Sequence, residues 1–69
     1  MNIYAPKGTK VSFSYPENGN SFQQQEIKKY LTPNSIYTVD WTVVEDWHTR
    51  VYLQEFPGVP FNSVFFEEV

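Results

Sequence analysis

Three side chains that could take part in proton transfer stand close together in the sequence. Glu45, Asp46 and His48 fall within one short segment, and a carboxylate near an imidazole can serve general acid–base catalysis or supply half of a metal site. His48 is the only histidine and the chain has no cysteine, so carboxylates would have to complete any metal site. The alternative is a solvated turn in which His48 caps backbone groups, and we favour it. We therefore expect no metal and no cofactor.

The rest of the chain contains no catalytic motif. There is no nucleophile elbow and no glycine-rich phosphate loop, and the three glycines leave little material for such a loop. No pair of carboxylates stands at a catalytic interval. We therefore predict that the protein is not an enzyme.

Aromatic residues are abundant, at 19% of a 69-residue chain. Each ring can bury about 150–250 Å², whereas a domain of this size buries only about 60% of the surface of its unfolded chain. Several rings should therefore be exposed, where they can contact another protein or a second copy of the chain. The residues predicted to form this binding surface are Trp47, Tyr52, Phe56 and Phe65. Of these, Tyr52, Phe56 and Phe65 could line a shallow groove for an extended peptide together with Tyr15.

The two tryptophans have different expected environments. Trp41 shares the alternation phase of Tyr37 and Val39, so we predict that it lies in the core. Trp47 falls in the connection between two strands, and two alternatives remain open. It either anchors an interface or folds back to seal one end of the domain.

The net charge of −3 disfavours polyanionic partners. The five cations are Lys7, Lys10, Lys28, Lys29 and Arg50. They fall in three separated segments, which make a poor track for a nucleic-acid strand. No segment approaches the roughly 20 apolar residues of a membrane span. We expect a cytoplasmic protein without nucleic-acid or membrane partners.

The elements that must position these side chains are short strands. Alternating or β-branched residues predict strands over Thr9–Tyr15, Ile36–Val44 and Thr49–Gln54. The last two should form a hairpin through Glu45–His48. A closing strand is predicted over Val64–Glu67.

One short α-helix and one 3₁₀ turn are expected between the strands. Ser21 and Gln24 have the spacing of a capping box, and apolar residues follow at helical intervals. A short helix is therefore predicted over Ser21–Leu31, with a loop as the alternative, and Pro33 bars its extension. A 3₁₀ turn is predicted at Phe61–Ser63.

This order of elements is the pattern of an SH3-like barrel. We predict one all-β domain over residues 1–69, with five strands, one short helix in the first long connection and a 3₁₀ turn before the last strand. Val59–Val64 resembles the proline–aromatic turn near the end of eukaryotic SH3 domains. The acidic–aromatic opening motif of peptide-binding SH3 domains is missing, and Ser63 occupies the place of a ligand-stacking tyrosine. We therefore do not expect a PxxP ligand.

Residues Lys28–Glu68 resemble small proteins of bacteriophages and bacterial mobile elements that have an SH3-like β-barrel fold. The segments that carry this resemblance are Tyr30-Leu31, Ile36–Val39, Trp47–Thr49, Val51 and Leu53, Phe56–Gly58 and Phe61–Val64. The resemblance implies a compact barrel and a viral origin. It implies no particular activity.

The predicted function is a non-enzymatic protein–protein interaction module, encoded by a phage and acting on a host protein. The alternatives are a small barrel that binds single-stranded nucleic acid and a self-assembling structural component. The segment Val64–Phe66 is apolar on both faces, so something must cover one of them. An N-terminal arm with Ile3 and Tyr4 could do so, and so could a second protomer. A homodimer is therefore an open alternative.

Overall fold

The sheet of the protein consists of five short antiparallel strands. The structure is a computed structural model and describes residues 1–69. The strands are β1 (Lys10–Phe13), β2 (Ile36–Val44), β3 (Thr49–Leu53), β4 (Pro60–Asn62) and β5 (Phe66–Glu68). One helix, α1 (Ser21–Lys28), connects β1 to β2, and a 3₁₀ turn, Ser63–Phe65, lies between β4 and β5. The mostly β class, the short helix in the first long connection and the 3₁₀ turn before the last strand are confirmed.

The strands form one sheet in the order β4-β3-β2-β1-β5. Strands β1 to β4 are consecutive neighbours, and β5 returns to pair with β1 on the far side. Strands β4 and β5 are the two edges and do not pair with each other. The sheet is therefore open, and the predicted closure into a barrel is not observed.

A bulge in β2 changes which side chains face the core. Val39 pairs with Leu53 and Trp41 pairs with Tyr52, which leaves Asp40 as an extra residue between the two pairs. Such a bulge reverses the alternation of the strand beyond it. Val39 is completely buried, whereas Trp41 is 50% exposed. The prediction that Trp41 lies in the core is therefore wrong.

Helix α1 begins at Ser21, as predicted, but its capping box lies one residue earlier than the sequence indicated. Asn20 is the N-cap: its side-chain oxygen accepts a hydrogen bond from the Gln23 backbone nitrogen at 2.9 Å, and Gln23 Oε1 accepts one from the Asn20 nitrogen at 3.2 Å. The capping box is thus Asn20 with Gln23 rather than Ser21 with Gln24. The helix ends at Lys28, before the predicted end at Leu31.

The core lies between the inner face of the sheet, α1 and the 3₁₀ turn. Its ten buried residues are Val11, Phe13, Ile27, Leu31, Val39, Val51, Leu53, Phe61, Phe65 and Phe66. The ring of Phe13 lies 6.0 Å from that of Phe65 and 6.2 Å from that of Phe66. Gly19 makes room for this packing, because a Cβ at this position would lie 2.8 Å from Phe65 Cζ.

Near the end of the chain, the 3₁₀ turn lies two residues later than predicted. The turn was predicted at Phe61–Ser63, but Pro60–Asn62 forms β4 and the turn follows at Ser63–Phe65. Val64 is therefore exposed, whereas the next two residues, Phe65 and Phe66, are each 1% exposed. A 3₁₀ turn does not alternate its side chains as a strand does, which is why two successive rings can enter the core.

The N-terminal arm covers the outer edge at β5. The nitrogen of Met1 donates to the Phe66 carbonyl at 3.2 Å, and the backbone nitrogen of Asn2 donates to Glu68 Oε1 at 3.0 Å. Met1 also packs against the core. The N-terminal arm, one of the two alternatives proposed for covering the closing strand, therefore lies against β5. The contacts come from Met1 and Asn2, whereas the side chain of Tyr4 is 73% exposed.

Candidate protein-interaction surface

Two rings stack on the outer face of the β2–β3 hairpin. The centroids of Trp41 and Tyr52 are 4.1 Å apart and their planes differ by 6°. The bulge at Asp40 places Trp41 directly across from Tyr52, and Tyr52 pairs with Pro60 on its other side. The stack therefore lies within a row that crosses three strands.

Trp47 lies at the end of the same hairpin and is 94% exposed. It follows β2 in the connection from Glu45 to His48, and its ring stacks on no other ring of the chain. Trp47 therefore does not fold back to seal one end of the domain, and its side chain is exposed to solvent. We call Trp41, Trp47 and Tyr52 the hairpin ring surface.

Two of the four predicted binding residues do not belong to this surface. Phe65 is in the core, so its predicted place on the binding surface is wrong. Its burial follows from the 3₁₀ turn, which breaks the alternation that the prediction assumed. Phe56 is partly buried in a separate ring cluster, 5.7 Å from Tyr30 and 6.2 Å from Phe61. Tyr15, the remaining residue of the predicted groove, is 44% exposed.

Sequence reasoning missed Trp41 as a surface residue. A strict period of two assigned it to the core, and only the pairing with β3 reveals the extra residue at Asp40. One sequence signal points the other way. Because Trp41 and Tyr52 lie near the middle of two strands joined by a short connection, they were candidates for a cross-strand aromatic pair.

The hairpin connection contains a cluster of side chains centred on Glu45. Glu45 Oε1 lies 2.6 Å from Arg50 Nε and 3.7 Å from His48 Nε2, and the Glu45 nitrogen donates to the His48 carbonyl at 3.0 Å. Asp46 forms no ion pair. No three acidic or histidine side chains are placed so that they could share a metal ion. The geometry fits a solvated turn that Glu45 holds together.

A cleft of about 500 Å³ separates α1 from β4. Phe22 and Tyr30 line the helix side, and Val59 and Pro60 line the strand side. Its polar lining residues are Gln23, Glu26, His48, Arg50 and Asn62. Phe22 is 71% exposed, and the sequence contains a signal for this, because Phe22 falls outside the helical phase of Ile27 and cannot share the buried face of α1.

The acidic side chain in this cleft is already paired. Glu26 accepts a hydrogen bond from Lys29 Nζ at 2.9 Å. This hydrogen bond, together with the attraction of the carboxylate, raises the pKa of Lys29 above its usual value. Glu26 therefore has a cationic partner at the end of α1.

Fold and surface together define a small, mostly β protein that exposes several rings on one hairpin. No helix has both the length and the apolar character to cross a membrane. A family model described as bacteriophage T4 protein Y07B matches residues 2–69. The chain belongs to this family, and the predicted likeness to small phage proteins is confirmed at that level. No curated protein and no solved structure matches the chain.

Proposed function

We propose that the protein is a non-enzymatic protein–protein interaction module by which a phage acts on a host protein. The observation that carries the proposal is the exposure of Trp47, at 94%, on the same hairpin as the stack of Trp41, which is 50% exposed, on Tyr52. Burying about 200 Å² of ring surface against a partner would contribute about 5 kcal/mol of gross hydrophobic free energy. Tryptophan and tyrosine are also the residues most enriched at binding hot spots.

The distribution of charge supports a protein partner over a nucleic acid. Three of the five cations are paired with carboxylates: Lys7 with Asp40 at 3.4 Å, Lys29 with Glu26 at 2.9 Å and Arg50 with Glu45 at 2.6 Å. A single-strand binder needs exposed rings together with a cationic track. Here the rings lie in a chain of net charge −3.

We also propose that the fold is an SH3-like barrel that is incompletely closed. Five short antiparallel strands support this, as do the helix in the first long connection and the 3₁₀ turn before the last strand. An experimental structure in which β4 and β5 approach each other around the core would support the assignment. A flat sheet with widely separated edges would refute it.

Partner capture from a host lysate tests the function. The Trp47→Ala variant should lose the captured protein while its far-UV spectrum and melting temperature stay unchanged, because a ring that is 94% exposed adds little to the fold. Tyr4→Ala is the matched control, since Tyr4 is also highly exposed, at 73%, but lies on the N-terminal arm. Equal capture by wild type and Trp47→Ala would remove the hairpin ring surface as the binding site.

The two alternatives predict different results in the same preparations. A nucleic-acid binder would recover only nucleic acid and would lose it steeply with added salt. A self-assembling component would form a defined oligomer in light scattering at micromolar concentration. A monomer that captures one host protein is the result expected from the proposed function.

A further inference from the structure

The cleft between α1 and β4 has free hydrogen-bond donors because two of its amide side chains cap helical turns. Gln23 Oε1 accepts from the Asn20 nitrogen at 3.2 Å, and Asn62 Oδ1 accepts from the Val64 nitrogen at 3.2 Å. These caps fix the orientation of both amides, since only the carbonyl oxygen can accept. Neither amide nitrogen donates to any group of the chain. Both side chains therefore offer an unused NH₂ group at the cleft.

Arg50 adds a charged donor to the same cleft. Its Nε lies 2.6 Å from Glu45 Oε1, and its two terminal nitrogens donate no hydrogen bond within the chain. Glu26, the one carboxylate that lines the cleft, accepts from Lys29 Nζ through its Oε1 at 2.9 Å. The unused polar atoms of Gln23, Asn62 and Arg50 are thus all donors, and their complement is a ligand that supplies carbonyl and carboxylate oxygens.

The shape of the cleft favours an extended chain over a compact anion. Arg50 and Asn62 are cross-strand partners on β3 and β4, whereas Gln23 lies on α1 on the other side of the cleft, so a ligand that reaches all three must span the cleft. Phe22 on one wall and Pro60 on the other provide apolar contacts for a side chain between those acceptors. The volume of about 500 Å³ lies within the range of about 300–1,000 Å³ that is usual for ligand sites.

We propose that this cleft binds an extended acidic peptide segment, with an aspartate or glutamate opposite Arg50 and an apolar side chain between Phe22 and Pro60. The inference rests on the proposed function in one respect, since the segment would belong to the protein partner. Pro60 pairs with Tyr52, so the cleft adjoins the hairpin ring surface and one partner could occupy both.

Two pools of peptides test the proposal by NMR titration of the full chain labelled with ¹⁵N. The probe pool contains N-acetylated, C-amidated octapeptides with glutamate fixed at the fifth position and leucine, valine, proline or serine elsewhere. The control pool has glutamine at that position. We expect the glutamate pool to shift the side-chain NH₂ signals of Gln23 and Asn62. The glutamine pool should bind about tenfold more weakly, because it lacks the charge-assisted hydrogen bond to Arg50. No shift with either pool, or equal affinity for both pools, would overturn the proposal.

Two variants separate the role of the amides in the ligand site from their role in capping. Gln23→Glu and Asn62→Asp keep the oxygen that accepts from the backbone but lose the NH₂ donor. Their melting temperatures should match that of the wild type, whereas their affinity for the glutamate pool should fall about tenfold. Wild-type affinity in both variants would overturn the proposal.

The peptide titration and the lysate capture fail independently. If the glutamate pool does not bind but Trp47→Ala still abolishes capture, the cleft inference is overturned and the proposed function stands. Tyr4→Ala, which changes neither surface, should bind the glutamate pool as the wild type does. If the pool binds but no variant of the hairpin ring surface affects capture, the cleft inference stands and the hairpin is removed as the binding site.

Discussion

Replacement of Phe65 by alanine should unfold much of the protein, because the ring belongs to the core and not to a binding surface. Phe65 is 1% exposed and its ring meets that of Phe13 edge to face at 6.0 Å. Truncation of a buried phenylalanine to alanine typically costs about 3–5 kcal/mol. A domain of 69 residues has a free energy of unfolding of about 3–10 kcal/mol at the usual value per residue. The loss is therefore comparable to the whole stability of the fold.

Urea unfolding followed by far-UV circular dichroism measures this effect. Tryptophan fluorescence is a poor probe here, because Trp41 and Trp47 are both exposed in the folded state. Each kcal/mol lost should lower the melting temperature by roughly 4–8 °C in a domain of this size. Phe22→Ala is the matched control, since this ring is 71% exposed and should change stability by less than about 0.5 kcal/mol. A Phe65→Ala variant that unfolds within about 1 kcal/mol of the wild type would refute the placement of Phe65 in the core.

Three further variants test how the core and its supports are held. Gly19→Ala should destabilise the fold by about 1–3 kcal/mol in urea unfolding, because the residue has a φ of +78° and the new Cβ would lie 2.8 Å from Phe65 Cζ; wild-type stability would show that the contact is not close. Asn20→Ala should cost about 1 kcal/mol and Asn20→Asp should restore most of it, since aspartate can also cap α1; equal losses would rule out the cap. Glu55→Ala should cost about 1–3 kcal/mol, because the Thr38 nitrogen would lose a carboxylate that accepts from it at 2.9 and 3.1 Å; an unchanged melting curve would show that water replaces the carboxylate without cost.

Local patterns in the sequence predicted most of the secondary structure. Strand β2 has the predicted bounds, Ile36–Val44, because a dense run of β-branched and aromatic residues has no competing conformation. In β3, Val51 and Leu53 face the core and Arg50 faces outward, as the alternation indicated. The helix also formed where apolar spacing placed it, although its cap depends on the conformation of Asn20, which the spacing alone did not distinguish from that of Ser21.

The candidate site was harder to predict because it depends on pairing between strands. Trp41 and Phe65 were assigned to the wrong environments, and both errors have the same cause. Trp41 follows the bulge at Asp40, and Phe65 lies within the 3₁₀ turn Ser63–Phe65, so neither residue keeps the alternation of the strand before it. Such irregularities are determined by contacts with distant segments, so a local period cannot reveal them. The cleft between α1 and β4 is likewise a product of tertiary packing.

The bulge at Asp40 connects the stability of the sheet to the exposure of its rings. Glu55, just after β3, accepts hydrogen bonds from the Thr38 nitrogen, and the Gln54 nitrogen donates to the Thr38 carbonyl at 2.8 Å. The segment that follows β3 thus takes both backbone groups of Thr38, two residues before the extra residue. A regular strand would turn Trp41 inward, where Val51 and Leu53 already fill the core at 0% exposure. The bulge therefore lets Val39 point into the core while Trp41, two residues on, stacks on Tyr52 at the surface.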